Sequence, residues 1–318
     1  MTKTFAYRGN ETVGAYVARC LGEAGYEWVD HPGDADVVLT YCTAQTALED
    51  AYFDEDGIVQ RANPGALLID LSPSTPTFAR ELNAVAVVND LGIVEAPIVV
   101  VNPALPDAFV DPSNIVCFLA GEEDAVKAAL PVVELLAEDV QDIGGAGAAQ
   151  LARAAYSLQN VAQLVSAIEA DALYRVVRGE TGTPVADADA PRAGAATPQA
   201  ESVLAAVAAA RFEGTHTVEM LLGEITAALT AADDADLILP QAEAAQRLLE
   251  LLAIIGGADL APAAVSLTYR DEAAAASAGL DWTRAEQAYG HSHAEEEDYD
   301  DPCDCGHDHS YPNYYSAN

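Results

Sequence analysis

FAYRGNETVGAYVARCLGEAGY, Phe5 to Tyr26, decides how the rest of the chain is read. It opens on a short apolar run, Phe5 to Tyr7, turns through Gly9 and Asn10, and continues from Val13 to Ala24 with apolar residues at helical spacing. A buried strand followed at once by an amphipathic helix is the first part of a β–α–β unit. Further buried-strand runs follow at Asp36 to Tyr41, Ala66 to Leu71, Ile93 to Val101 and Ile115 to Leu119. Helical spacing covers Pro76 to Asn83 and Glu123 to Ala137. Strands alternating with helices at this interval predict an α/β fold: a mostly parallel, doubly wound sheet with helices on both faces.

The character changes after Gly144. Ala148 to Arg178 runs without proline or glycine, which predicts a long helix leaving the sheet domain. Gly179 to Pro198 is rich in Gly, Pro, Thr, Ala and Asp and reads as a loop. Helical patterns resume over Ala200 to Ala210, Thr217 to Ala232 and Gln241 to Ile255, so the second half is predicted to be all-α. From Gly290 onward eight acids stand without a Lys or Arg, a composition that cannot bury enough apolar surface to fold alone. The expected division is 1–146, 147–289 and a disordered acidic tail, 290–318.

Composition excludes several partners. The 318 residues carry 51 acids against 14 bases, a formal net charge of -37, whereas nucleic acids and anionic membranes need a basic footprint. No apolar run reaches the roughly 18 residues of a spanning helix, and MTKTFAYRGN lacks the apolar stretch of a signal peptide, so a cytoplasmic location is expected. Cys20, Cys42 and Cys117 sit singly in apolar or mixed segments and read as buried thiols. Only Lys3 and Lys127 are lysines, and any lysine chemistry must use one of them.

Four stretches carry a family resemblance: residues 5–26, then ADVVLTYCTAQTALEDAYFDEDGIVQRANPGALLIDLSPSTP (35–76), VEAPIVV (94–100), and GEEDAVKAALPVVELLAEDVQDIGGAGAAQLARAAYSLQNVAQLVSAIEADAL (121–173). Over about residues 4–270 the chain resembles the β-hydroxyacid dehydrogenases, a family that includes 3-hydroxyisobutyrate dehydrogenase, tartronate semialdehyde reductase and, more distantly, 6-phosphogluconate dehydrogenase. The resemblance implies a Rossmann-like domain, a helical domain that makes a homodimer, a small hydroxy-acid or carbonyl substrate, and NAD or NADP as cofactor. The apolar face from Leu248 to Ile255 exceeds what one isolated helix hides, in keeping with a dimer.

The glycine turn wanted by a dinucleotide fold, G-x-G-x-x-G, falls on Gly9, Asn10, Glu11, Thr12, Val13 and Gly14. Glutamate stands at the second glycine, bringing bulk and negative charge toward a pyrophosphate; a glycine pair closing an ordinary strand-to-helix turn is the other reading. About twenty residues of the family's second-strand region are missing, since only YEWVDHPGD joins Gly25 to the next matching segment. Asp30 could bind the ribose hydroxyls or cap the turn at His31 and Pro32. No Arg follows it to meet a 2′-phosphate, which favours NAD over NADP. The resemblance adds Tyr41, Cys42, Thr43 and Ser72 as cofactor contacts; Ser72 could equally begin a loop in which Thr75 caps the helix at Pro76.

The chemistry-bearing positions are altered. The family's Ser-Gly-Gly after D-A-P-V becomes Val99, Val100 and Val101 after EAPI. Its catalytic lysine, in G-x-G-x-x-x-K-x-x-N, falls on Arg153, with Gly147 and Ala149 at the glycines and Tyr156 at the asparagine. An arginine stays charged and is a poor general acid, which leaves Arg153 as an electrostatic clamp and Tyr156, one helical turn on, as candidate proton donor. An Arg and a Tyr on an ordinary helix face is the alternative. The family's later Lys-Asp pair becomes Gly223 and Glu224.

His291, His293, Cys303, Cys305, His307 and His309 crowd the tail, a donor set suited to Zn, Ni or Cu yet too closely spaced to frame a folded zinc module. Three readings follow: an NAD(P)-dependent oxidoreductase diverged in substrate and proton donor, a catalytically silent scaffold for ligand sensing or interaction, and a metal-handling protein.

Overall fold

The computed structural model describes residues 3–177 and 197–289. The expected loop after Gly179 and the His/Cys tail lie essentially outside these residues. The sheet part comprises β1 (Thr4–Gly9), α1 (Glu11–Glu23), β2 (Glu27–Trp28), β3 (Val37–Tyr41), α2 (Gln45–Phe53), α3 (Ile58–Arg61), β4 (Leu67–Asp70), α4 (Pro76–Val88), β5 (Gly92–Glu95), β6 (Ile98–Val100), β7 (Ile115–Gly121), α5 (Glu123–Val133) and β8 (Asp139–Gly144). Strand order is β2-β1-β3-β4-β5-β7-β6, with β8 on β7.

The pairs β2–β1–β3–β4–β5 and β7–β8 are parallel, whereas β7 runs antiparallel to β5 and β6. The chain passes from β1 outward to β2 and then back across to β3, so the carboxyl ends of β1 and β3 flank the topological switch point where open α/β sheets receive ligands. Both faces are covered. Phe5, Leu39 and Ile69 pack with Val13, Val17 and Leu21 of α1 and Val126 and Val133 of α5. Ala6, Val38 and Leu68 pack on the other side with Leu48, Tyr52, Ile58, Phe78 and Leu82. This alternation of sides along each strand is the period-2 geometry of a pleated sheet, and burial on both faces explains the near-continuous apolar runs.

One detail differs from expectation and one agrees with it. The run Ile93 to Val101 is not one strand: Ala96 and Pro97 break it, and β6 turns to pair antiparallel with β7. The short connection after Gly25 holds only the two residues of β2 and a 3-10 turn at Pro32–Asp34 before β3.

The second part is helical: α6 (Ala148–Val177), α7 (Pro198–Ala208), α8 (Val218–Asp233), α9 (Pro240–Leu252), a 3-10 stretch at Pro262–Tyr269, α10 (Glu272–Ser277) and α11 (Thr283–Tyr289). Its core joins Val161, Leu164 and Ile168 of α6 to Val203 and Val207 of α7, Leu221 and Ile225 of α8, and Leu249 and Leu252 of α9. Glu95, at the end of β5, accepts from the Gly147 N–H and from the Gln150 N–H (3.1 Å), which ties the start of the long helix to the carboxyl edge of the sheet. Cys20, Cys42 and Cys117 are buried free thiols. Among the described residues no single helix is long and apolar enough to cross a membrane.

Candidate functional site

The switch point is built by Gly9. Its φ of +122° and the 1.9 Å that would separate an added Cβ from the Tyr41 carbonyl oxygen make glycine obligatory there. Asn10 N donates to that same carbonyl (2.8 Å), so the β1–α1 turn is pinned to the end of β3. Asn10 is the N-cap of α1: its Oδ1 accepts from Thr12 N (3.0 Å) and Val13 N (3.2 Å). The Tyr7 hydroxyl donates to Asn10 O (2.8 Å), and a Cβ at Gly14 would meet the Tyr7 ring at 2.7 Å. Gly9 and Gly14 therefore each have a packing reason. Glu11 is exposed in the first helical turn.

The helical part lies against this edge. Gly223 of α8 meets the backbone of Thr43, where an added Cβ would stand 2.2 Å from the carbonyl oxygen. Thr43 Oγ1 donates to Glu219 (3.4 Å). Tyr41, Cys42 and Thr43 thus border both the glycine turn and α8.

Beneath lies a buried polar cluster. Ser72 is fully buried: its N–H donates to Asp70 (3.0 Å), its Oγ accepts from Cys42 N (3.0 Å), and its carbonyl accepts from Gln150 Nε2 (2.9 Å). The hydroxyl is turned into the sheet, and Thr75 does cap α4 through Phe78 N (3.1 Å), as the loop reading expected. Burial pushes the Asp70 carboxyl up to about 7, with Glu95 adding to the rise and the Ser72 hydrogen bonds opposing it. Burial also raises Glu95, whose helix-capping N–H groups pull the other way.

Arg153, also fully buried, donates from Nε to Gln150 Oε1 (3.1 Å), from Nη1 to Glu224 O (3.0 Å) and from Nη2 to Ser74 O (3.2 Å). Desolvation lowers it to about 10 while Glu224 opposes the shift, so it remains cationic at neutral pH. Its guanidinium clasps α6 to α8 and to the loop after β4. Glu224 is itself an acceptor hub: Ser157 Oγ donates to Oε2 (2.9 Å), and His216 Nε2 lies 3.3 Å from Oε1.

Tyr156 does not join Arg153. It is half-buried and packs edge-on to Phe118 (6.0 Å between centroids) over β6 and β7, while Arg153 points into the cluster. Three residues along a helix turn the two side chains onto different neighbours. Asp30 is exposed, and its carboxylate accepts from Trp28 Nε1 (3.2 Å) rather than capping the turn, which has no side-chain cap. Lys3 lies over Tyr26 and Lys127 pairs with Glu123 on α5, so neither lysine reaches the cluster. The tail ligands His291, His293, Cys303, Cys305, His307 and His309 fall outside the described residues.

The sequence reading missed His216, Ser157, Gln150 and Ser74. One signal was available for His216: it stands just ahead of a helix N-cap at Thr217 and eight residues before Glu224.

Residues 9–145 match the family described as the NAD binding domain of 6-phosphogluconate dehydrogenase. The uncharacterized oxidoreductase YkwC of Bacillus subtilis is 27% identical over 157 residues, covering 48% of this chain and 53% of its own. An NAD-dependent L-serine dehydrogenase of Pseudomonas aeruginosa is 27% identical over 139 residues, 44% of this chain and 45% of its own. These alignments span about half the length of the curated relatives matched. A solved Mycobacterium tuberculosis 3-hydroxyisobutyrate dehydrogenase with L-serine shares the fold with a TM-score of 0.66 and 22% identity, covering 85% of this chain and all (100%) of the other. The glycine-turned switch point and the sheet order agree with these likenesses: residues 9–145 are similar to the NAD binding domain of 6-phosphogluconate dehydrogenase, and the chain has the fold of the solved 3-hydroxyisobutyrate dehydrogenase.

Proposed function

We propose that the protein is a nicotinamide-dinucleotide-dependent oxidoreductase acting on a small hydroxy acid or carbonyl compound. The β1–α1 turn carries this reading. Gly9 lets the backbone run flush against the end of β3 and delivers the N-terminus of the 13-residue helix α1 to the switch point, the arrangement that receives a pyrophosphate. The residues present fit the group: Gly9 offers no side chain, and Asn10, Thr12 and Val13 supply donors once the Asn10 amide rotates off the two N–H groups it caps. Tyr41, Cys42 and Thr43 form the facing wall. When bound, the dinucleotide exchanges a hydride with the substrate carbon. NAD is the better fit, because Asp30, exposed two residues beyond β2, has no arginine following it. Arg153 serves by holding the sheet edge, α6 and α8 together beside that wall. The apolar groove between α6 and α9, lined by Leu158, Val161, Ile225, Leu239 and Ala245, supports a homodimer through the helical part.

A second reading, a scaffold that carries out no turnover, is favoured by the contact of Gly223 with Thr43 and by the commitment of the Arg153 donors to internal carbonyls. Titration with NADH and NADPH, followed by cofactor fluorescence and melting temperature, tests the first reading. Saturable binding supports it, and no response to either overturns it. Binding without turnover on any of a panel of small hydroxy acids would favour the second.

A further inference from the structure

The place at which the family resemblance puts a proton-donating lysine is held by Arg153, and both lysines lie elsewhere. The residue whose carbonyl Arg153 grips, Glu224, has a histidine against its carboxylate. His216 is 2% exposed, and its Nε2 faces Glu224 Oε1 at 3.3 Å. The tautomer that pairs with a carboxylate acceptor carries its proton on Nε2 and leaves Nδ1 with its lone pair. Nδ1 is buried and has no hydrogen-bonding partner among the described residues.

A second buried polar atom in the same cluster is also unpartnered: Ser74 Oγ, in the residue whose carbonyl takes the Arg153 Nη2 bond. Unsatisfied buried polar atoms are uncommon, and each is a place where a polar ligand atom could complete the bonding. Glu224 is fixed from its other side by Ser157 (2.9 Å), and Arg153 grips its carbonyl, so the carboxylate that orients the imidazole is held by α6. Phe109, 6.3 Å from the imidazole centroid, supports the ring from the loop after β6. Glu224 on α8 faces the ring, and Arg153 on α6 holds the backbone carbonyl of that same residue. An imidazole oriented by a carboxylate, with its second nitrogen directed away from it, is the arrangement general acid–base catalysis requires.

We propose that His216 is the acid–base group of this site, positioned by Glu224. This rests on the oxidoreductase reading above. In the oxidative direction a substrate O–H bond breaks and an N–H bond forms at Nδ1, while the electron pair of the substrate C–H bond leaves as hydride to the oxidised dinucleotide. The imidazolium returns the proton to the oxygen in the reverse direction. Glu224 accepts from Nε2 and stabilises the imidazolium, acting as a positioning residue.

Nitrogen-15 NMR of the histidine-labelled full chain, with His216 assigned by the signal lost in H216N, tests this without turnover. The expected resting state is a neutral Nε2–H imidazole whose Nδ1 takes up the proton in a pH titration, and in E224Q the tautomer preference weakens. H216N is expected to bind NADH as the wild type does, while turnover on the hydroxy-acid panel falls by about 100-fold or more and loses the pH limb belonging to that imidazole. An Nδ1–H resting tautomer, a ring that takes up no proton between about pH 5 and 9, or H216N turnover at the wild-type rate overturns the proposal. If H216N does not fold, E224Q decides: unchanged tautomer and unchanged turnover overturn it. Failure of the wild type to bind NADH or NADPH overturns the oxidoreductase reading itself, an outcome separable from these because the tautomer is measured on the unliganded protein.

Discussion

Gly223 on α8 lies directly on the backbone of Thr43 at the end of β3: an added Cβ would stand 2.2 Å from the Thr43 carbonyl oxygen. The family resemblance puts a lysine at this position. With α8 seated this close, no side chain of any kind is accommodated, so the loss of the lysine and the close approach of the two parts are one feature. Gly223→Ala is expected to push α8 off the sheet edge and destabilise the fold by about 1–3 kcal/mol, the cost of overpacking a well-filled contact. Urea denaturation reads this directly, and a wild-type midpoint in the alanine variant would show that the contact is loose.

Arg153 gives a larger expected effect. Its three bonds satisfy the Gln150 side chain and the carbonyls of Glu224 and Ser74 in a fully buried setting. Arg153→Met removes the cation beside buried Glu224 and the guanidinium donors to the Glu224 and Ser74 carbonyls, while Gln150 Oε1 keeps the Ser74 N–H; this is expected to cost about 3–5 kcal/mol. Arg153→Lys restores the charge but not the planar fork that reaches two carbonyls, so it is expected to recover only part of the loss. Equal stability of the methionine variant and the wild type would remove Arg153 as the clasp between the two parts.

Asp70 predicts a pH dependence. Its carboxyl stands at about 7 in the folded chain, above the ordinary carboxylate value it has when unfolded. Between those two values the folded state holds a proton that the unfolded state has lost, so stability is fully present below the unfolded pKa and declines as pH rises toward 7, at roughly 1 kcal/mol per pH unit. Glu95, raised by burial on the neighbouring strand, acts in the same direction. Asp70→Asn should flatten this slope. Melting temperatures measured from pH 5 to pH 8 in both proteins check it, and identical slopes would contradict the assignment.

The sheet was legible because β1, β3, β4 and β7 are buried on both faces and therefore read as apolar runs. β8 was not. It is mostly exposed, with the polar sequence DVQDIG, and is held by pairing with β7 rather than by any pattern of its own. The break at Ala96 and Pro97 was written in the proline but hidden by the valines that continue after it. At the site, Gly9, Asn10, Thr12 and Val13 were readable because a strand-to-helix turn is local. Arg153 was found by its place in a motif, yet its partners Ser74, Gln150 and Glu224 come from three elements, and only the folded chain shows that its donors are committed to them. His216 was missed for the same reason: its spacing from Glu224 is visible, but their pairing depends on the course of the loop ahead of α8, and Ser157 reaches that carboxylate from α6.

The central claim is that a nicotinamide dinucleotide binds at the turn between β1 and α1. Amide hydrogen exchange of the full chain with and without saturating NADH tests it most directly. The account predicts added protection at residues 9–14 and 40–43, where the capped N–H groups and the end of β3 meet. Unchanged exchange in both segments at millimolar NADH would contradict it.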